Sequence, residues 1–296
     1  MGNDNIVIMT SKNLKADLIN EMKIEIRNLY KDYVIIPRLA VIQIGDNPAS
    51  TTYVRNKTKL AKELGIEVAD IKLSENINID NLTETIINLN NDKYIDGILL
   101  QQPIPSHLKG LEQDIVEFKD VDGFTFKNLG ALLLNETEYT PCTTQGIIAL
   151  LDYYKIPIEG KHIVIIGRSS IVGKPTAAAM LNRNATITIC HSKTLNLEHY
   201  IEDADILIVA IGKPKFIDSS YLTLKTKVVI DVGINRLEDG TLCGDCDYND
   251  IVRYWNNSQL TEDRYITPVP RGIGPLTVTS LMNNVIESAY NKILEN

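Results

Sequence analysis

The chain has 296 residues, 44% of them apolar, which is enough for two packed cores and well clear of disorder. Its formal charge is −8, from 38 acidic against 30 basic residues, so nothing in its charge balance suits nucleic acid or an anionic membrane surface. No apolar run approaches the ~20 residues of a membrane span. The opening Met1-Gly2-Asn3-Asp4-Asn5 lacks the basic and apolar regions of a signal peptide, and a cytoplasmic protein is expected.

Residues 39–44 (Leu-Ala-Val-Ile-Gln-Ile) read as a buried strand. Asn47 and Pro48 cap and open a helix that runs to about Leu64, where Gly65 ends it. A strand over 66–71, a helix over 79–90 and a strand over 98–101 follow, the last cut off by Pro103 and Pro105. This alternation implies a parallel sheet covered by helices on both faces. A helix over 144–154 leads into a second unit with strands at 163–166, 186–190, 206–211 and 228–232, the βαβαβ pattern of a nucleotide-binding domain. A last helix, 276–293, follows Thr267-Pro268-Val269-Pro270. The fold class is α/β, with an N-terminal α/β domain followed by a Rossmann-type domain.

The stretch from Ile163 to Pro175 carries the chemistry of that second domain. An apolar strand runs into Gly167-Arg168-Ser169-Ser170-Ile171-Val172-Gly173 and then a helix, the arrangement by which a backbone turn holds a pyrophosphate. Gly167 permits the sharp turn, Gly173 lets the helix pack close, and Pro175 suits a first helical turn. Ser169 stands where the usual G-x-G-x-x-G has its middle glycine, and the spacing excludes a P-loop. The second strand of the unit ends in His191-Ser192-Lys193-Thr194 rather than in an acid that would bind the ribose 2′-hydroxyl of NAD. A hydroxyl at Ser192 and cations at Lys193 and Arg168 favour the 2′-phosphate of NADP.

Cys142, Cys190, Cys243 and Cys246 include one close pair, Cys243-Gly244-Asp245-Cys246. His107, His162, His191 and His199 do not cluster with it, so the pair reads as a tight turn and no metal site is expected.

Tyr53 and Lys57 share one face of the helix that opens at Pro48, where a phenol beside an amine can position a proton. Short-chain dehydrogenases use the same spacing, but there the pair follows the glycine loop, whereas here it precedes it.

Several further segments stand in a fixed order around these residues: Gly45-Asp46-Asn47-Pro48-Ala49-Ser50, Asp96-Gly97-Ile98-Leu99-Leu100-Gln101, Lys119-Asp120-Val121-Asp122-Gly123-Phe124, Pro141-Cys142-Thr143, Asp231-Val232-Gly233-Ile234-Asn235-Arg236 and Gly272-Ile273-Gly274-Pro275. In this order and spacing the chain resembles the bifunctional methylenetetrahydrofolate dehydrogenase/methenyltetrahydrofolate cyclohydrolase family over nearly its whole length. The resemblance implies a folate-binding catalytic domain of residues 1–144 with 277–296, the C-terminal helix returning to it, and an NADP-binding domain of residues 145–276. It implies folate in the cleft between them and a homodimer. By matching motif, Lys57 is the central catalytic residue, Tyr53 stacks on or orients the folate, Gln101 holds the lysine and Asp122 takes the pterin. Gly167, Arg168, Ser169, Gly173, Ser192 and Ile234 then form the cofactor set.

The reaction implied is hydride loss from 5,10-methylenetetrahydrofolate to NADP⁺, then hydrolysis of the methenyl cation to 10-formyltetrahydrofolate. The alternatives are a cyclohydrolase that has lost its redox activity and a folate- or NADP-binding module without chemistry. The chain departs from the family pattern at Gln102, at Thr125 and Phe126 in place of His-Pro, at Thr144 in place of proline, and at Arg271 in place of glycine.

Overall fold

A computed structural model describes residues 5–137 and 139–294; the leader expectation drawn from residues 1–4 lies outside the described residues. The first half runs β1 (Ile6–Ile8), α1 (Lys12–Tyr33), β2 (Arg38–Ile44), α2 (Pro48–Leu64), β3 (Glu67–Leu73), α3 (Ile79–Asn91), β4 (Gly97–Leu100) and α4 (Phe126–Leu133). The second runs α5 (Cys142–Tyr153), β5 (His162–Ile166), α6 (Gly173–Asn182), β6 (Thr186–Cys190), α7 (Leu197–Ile201), β7 (Ile206–Val209), β8 (Val228–Asp231), β9 (Asn235–Arg236), β10 (Leu242–Cys243), α8 (Tyr248–Asn256), β11 (Arg264–Ile266) and α9 (Gly274–Leu294). The chain divides into two compact units, residues 15–142 with 278 onward, and residues up to 14 with 143–277.

The first unit is built on a parallel sheet of order β3-β2-β4. Alternate residues of β2 face opposite cores. Leu39 and Val41 join Leu99, Met22 and Leu29 on one side, where Leu281, Met282, Val285 and Ile286 of α9 complete the cluster. Ala40 and Ile42 join Ile98, Leu82 and Ile86 on the other. The C-terminal helix therefore returns to the N-terminal half of the chain as expected. Asn284 donates to the Val121 carbonyl at 2.8 Å and Ser288 to that of Asp96 at 2.6 Å, which fixes its register.

The second unit is a six-stranded parallel sheet of order β1-β11-β8-β7-β5-β6. Val164, Ile166, Leu207, Val209 and Trp255 lie in its core. Here the structure departs from the expected boundaries. The opening segment, assigned to the N-terminal domain from sequence, places Ile6–Ile8 beside Arg264–Ile266 as the outermost strand of the second sheet. Tyr154 ties it down, its hydroxyl accepting from the Thr10 N–H at 2.9 Å and donating to the Thr10 carbonyl at 3.1 Å. Two three-residue strands are too short to leave a periodic signal; β1 is held by its pairing with β11, and β11 by β1 and β8 together. The helices α1, α4 and α8 also lie outside the sequence expectations.

Both sheets change winding direction once. In the first, the chain passes from β2 outward to β3 and then across to β4; in the second, from β5 outward to β6 and then across to β7. In open parallel sheets, ligands sit beyond the carboxyl ends of the strands at such a reversal.

Candidate functional site

In the first unit the reversal falls between β2 and β4. A cavity of about 450 Å³, lined by residues that include Ile44, Asn47, Glu75, Pro103 and Pro105, opens at these carboxyl ends. Gln101 is the first residue past β4, its N–H bound to the Ile42 carbonyl at 2.9 Å. Lys57 projects from α2 and is 8% exposed; its Nζ donates to Gln101 Oε1 at 3.1 Å. Gln101 Nε2 donates to the Gln102 carbonyl at 2.7 Å, so the amide oxygen faces the lysine. Tyr53, one turn before Lys57, is 41% exposed.

Asp122 lies in the electrostatic field of this lysine. Burial pushes its carboxyl above the usual range, the Lys57 ammonium pulls it back, and Asp120 adds to the rise. Lys57 and Gln101 are thus in contact, and Asp122 is close enough to be influenced by the Lys57 charge.

The residues flanking Asp122 explain how it is presented. Asp120 is buried; its carboxylate accepts from the N–H of Gly123 at 3.0 Å, from that of Thr125 at 2.7 Å and from Asn128 Nδ2 at 2.9 Å. Gly123 has φ +75°, and a Cβ there would press on the Tyr139 carbonyl. Lys119 is 3% exposed and donates to the carbonyls of Leu89, Asn90 and Asp92 at 2.9, 2.7 and 2.8 Å, capping the C-terminus of α3. Its ammonium is held below the usual lysine range by burial and by Lys292. Lys119 and Asp120, given no separate role from sequence, are therefore the frame around Asp122. Thr125 caps α4 through its hydroxyl, and Phe126 beside it is 76% exposed.

In the second unit the reversal falls between β5 and β7. Gly167 follows β5 with φ +130°, and a Cβ there would collide with the Ala210 carbonyl; a Cβ at Gly173 would collide with the Gly167 carbonyl. The loop is therefore closed down to a shape only glycine permits at both positions. Ser169 Oγ accepts from the N–H groups of Val172 at 3.1 Å and Gly173 at 3.3 Å, and its carbonyl accepts from Lys174 at 3.0 Å. The donors expected to be free at the start of α6 are thus engaged by Ser169, which stands where an incoming anion would compete for them. The Gly167 N–H donates to the Cys190 carbonyl at 2.9 Å, so Arg168 and Ser192, both exposed, extend from the ends of neighbouring strands. The turn that follows β6, His191-Ser192-Lys193-Thr194, contains no acid. Ile234, past β8, is 42% exposed.

Two buried carboxylates at the same sheet edge were not anticipated. Asp231, the last residue of β8, accepts from the N–H groups of Gly233, Asp245 and Cys246 at 3.1, 2.9 and 2.9 Å. Burial lifts it to about 6 against those three donors. Asp245 is fully buried and accepts from the N–H groups of Ile211, Gly212 and Lys213 at 2.7, 3.0 and 2.8 Å, and from Asn235 Nδ2 at 2.8 Å. A Cβ on Gly233 would overlap the Asp245 carboxylate, and one on Gly244 that of Asp231. The turn 243–246 is thus built around carboxylates. All four cysteines are free, and no cluster of potential metal ligands occurs among the described residues.

Arg271 has φ +88°, in the region that favours glycine. Its carbonyl is held by the N–H of Ser11 at 2.9 Å and the hydroxyl of Ser11 at 3.0 Å. Thr144, expected as proline in the family pattern, meets Thr176 through buried hydroxyls 3.0 Å apart.

Comparison with known proteins gives concordant matches. Residues 9–122 match the family model described as the tetrahydrofolate dehydrogenase/cyclohydrolase catalytic domain, and residues 141–293 its NAD(P)-binding domain. The bifunctional protein FolD of Ligilactobacillus salivarius is 45% identical over 287 residues, 96% of each chain. The crystal structure of the bifunctional enzyme FolD, methylenetetrahydrofolate dehydrogenase/cyclohydrolase, from Campylobacter jejuni superposes with a TM-score of 0.90 at 42% identity, covering 97% of this chain and 99% of that one. The Trypanosoma brucei methylenetetrahydrofolate dehydrogenase-cyclohydrolase, solved with NADP and an inhibitor, gives 0.88 at 29% identity, covering 97% and 98%.

Proposed function

The chain belongs to the tetrahydrofolate dehydrogenase/cyclohydrolase family, and from that premise we propose that it oxidises 5,10-methylenetetrahydrofolate with NADP⁺ and hydrolyses the methenyl product to 10-formyltetrahydrofolate. The observation that carries this reading is the Lys57–Gln101 pair at the carboxyl-end reversal of the first sheet, with Asp122 in its field. The cyclohydrolase-only alternative is not favoured, because the glycine loop, Arg168 and Ser192 retain the form a dinucleotide requires.

Asp122 recognises the folate head. A 2-aminopyrimidinone edge presents adjacent N–H donors, and a carboxylate accepts two in parallel. Tyr53, which is 41% exposed, offers its ring to the flat part of the same substrate. Lys57 moves the proton. In the hydrolytic step water adds to the methenyl carbon, a proton must leave that water, and another must reach the departing ring nitrogen. Gln101 keeps the amine aimed by accepting a hydrogen bond from it.

The cofactor-binding residues fit a dinucleotide phosphate: a loop that a Cβ would fill at two places, a helix start whose N–H donors are held by Ser169 until an anion displaces it, and a cation and hydroxyl beyond adjacent strands. Gly167, Ser169 and Gly173 would hold the pyrophosphate, Arg168 and Ser192 the 2′-phosphate, and Ile234 the nicotinamide end. NADP⁺, when bound, supplies the hydride acceptor. The chain's own part in that step is positioning, since the folate nitrogen provides the electron push.

We further assign a homodimer. The sheet ends at β6, whose free edge carries Ile189 at 39% exposure, and Leu195 beyond it is 81% exposed. Light scattering should give twice the chain mass. Four free cysteines suit the reducing cytoplasm.

The functional test is absorbance of reduced cofactor with 5,10-methylenetetrahydrofolate, comparing NADP⁺ with NAD⁺. Reduction with NADP⁺ supports the dehydrogenase reaction and the roles given to Arg168 and Ser192. Reduction only with NAD⁺ removes the roles given to Arg168 and Ser192, and none with either removes the dehydrogenase.

A further inference from the structure

We infer that Asp245 is a positioning residue for the dehydrogenase reaction: its carboxylate holds the segment 211–213, beyond β7, in the shape that receives the cofactor. This rests on the reading of the second unit as the NADP site.

The strand reversal of the second sheet lies between β5 and β7, so a bound dinucleotide meets the residues that follow both strands. Gly167 follows β5 and lies directly against Ala210, the first residue past β7. The next three residues turn their N–H groups toward Asp245. Its Oδ2 takes those of Ile211 and Gly212, and its Oδ1 takes that of Lys213 together with the side-chain amide of Asn235. Four donors saturate one carboxylate, and each belongs to backbone or side chain at the carboxyl edge of the sheet. Asn235 adjoins Ile234, so the same carboxylate ties the segment after β7 to the segment after β8.

The local sequence leaves room for a side chain of this size in this place. Gly233 has no room for a Cβ because the Asp245 side chain occupies that space, and Gly244 has none because Asp231 does. Asp231 in turn receives the Asp245 N–H at 2.9 Å, which fixes where the second carboxylate begins. An asparagine at 245 would keep the volume and put an N–H pair against N–H donors on one side.

None of these residues belongs to the Lys57 site, so the two activities should separate. The experiment uses full-length Asp245→Asn, with calorimetric titration of NADP⁺ and both activities measured, the cyclohydrolase in the absence of cofactor. NADP⁺ Kd and KM should rise about tenfold or more, while hydrolysis of the methenyl substrate stays within about twofold. NADP⁺ affinity equal to wild type overturns the inference, as does parallel loss of both activities in a folded protein. Should Asp245→Asn not fold, Asn235→Ala removes one of the four donors from a half-buried position; unchanged NADP⁺ affinity there overturns it equally. A wild type that does not bind NADP⁺ removes the premise itself, a result distinct from a variant that matches a binding-competent wild type.

Discussion

Lys57 donates to Gln101 at 3.1 Å, and Gln101 has no freedom to turn away, because its Nε2 is bound to the Gln102 carbonyl and its backbone N–H to Ile42. The amine is therefore aimed by a side chain that is itself fixed at both ends. The hydrolytic step needs proton transfer and the hydride step needs alignment, so removing the amine should divide the activities. Lys57→Met is expected to lower the cyclohydrolase by about 10³-fold or more while leaving measurable NADP⁺ reduction. Equal loss of both in a folded variant would refute that division of labour.

Lys119 supplies the second prediction. Its ammonium satisfies three carbonyls at the end of α3 from a position 3% exposed. Methionine matches its length and withdraws that donor, leaving the Leu89 and Asp92 carbonyls only the backbone N–H groups of Asp92 and Ile95, so Lys119→Met should lose about 2 kcal/mol of stability. Urea unfolding followed by far-UV circular dichroism measures it. A loss under about 0.5 kcal/mol, the range of ordinary surface changes, would show that the cap is replaceable.

What the sequence made legible and what it hid differ for physical reasons. Asn47-Pro48 and Gly65 punctuate α2 on both sides, and that helix spans Pro48–Leu64 as read. Lys57 and Gln101 could be paired from the resemblance, and their contact joins α2 to the end of β4. Lys119 and Asp245 look like ordinary charged residues because their partners are backbone groups of other segments: α3 for Lys119, and residues 211–213 for Asp245. Sequence carries no local mark of a carbonyl or N–H awaiting a partner. The glycines at 233 and 244 are such marks in retrospect, since each is empty where a carboxylate passes. The opening strand was hidden by length, three residues being below any period.

Arg271 tests strain directly. At φ +88° a residue with a Cβ is about 1 kcal/mol or more above glycine, while the Ser11 contacts to its carbonyl hold the turn in place. Arg271→Gly and Arg271→Ala both remove the guanidinium, so their difference isolates the backbone. Arg271→Gly should be the more stable of the two by about 0.5 kcal/mol, the relief of strain exceeding the extra entropy of an unfolded glycine. Thermal unfolding of the pair decides it, and equal midpoints would show that the loop relaxes around a Cβ.

Asp231 gives the second unit a pH dependence of known sign. Burial raises its carboxyl from 3.8 to about 6 in the folded chain. A group bound more tightly by protons in the folded state stabilises it fully below the unfolded value and loses that contribution as pH rises through the folded one. The window is thus about pH 4 to 6, and a shift of roughly two units corresponds to about 3 kcal/mol. Wild type should lose stability relative to Asp231→Asn as pH rises through this window. Trp255, the single tryptophan, is buried in the same core, so its fluorescence during urea unfolding reports this unit. Wild type and variant running parallel from pH 4 to 6 would place the Asp231 carboxyl back in the ordinary range, with the three backbone donors outweighing burial.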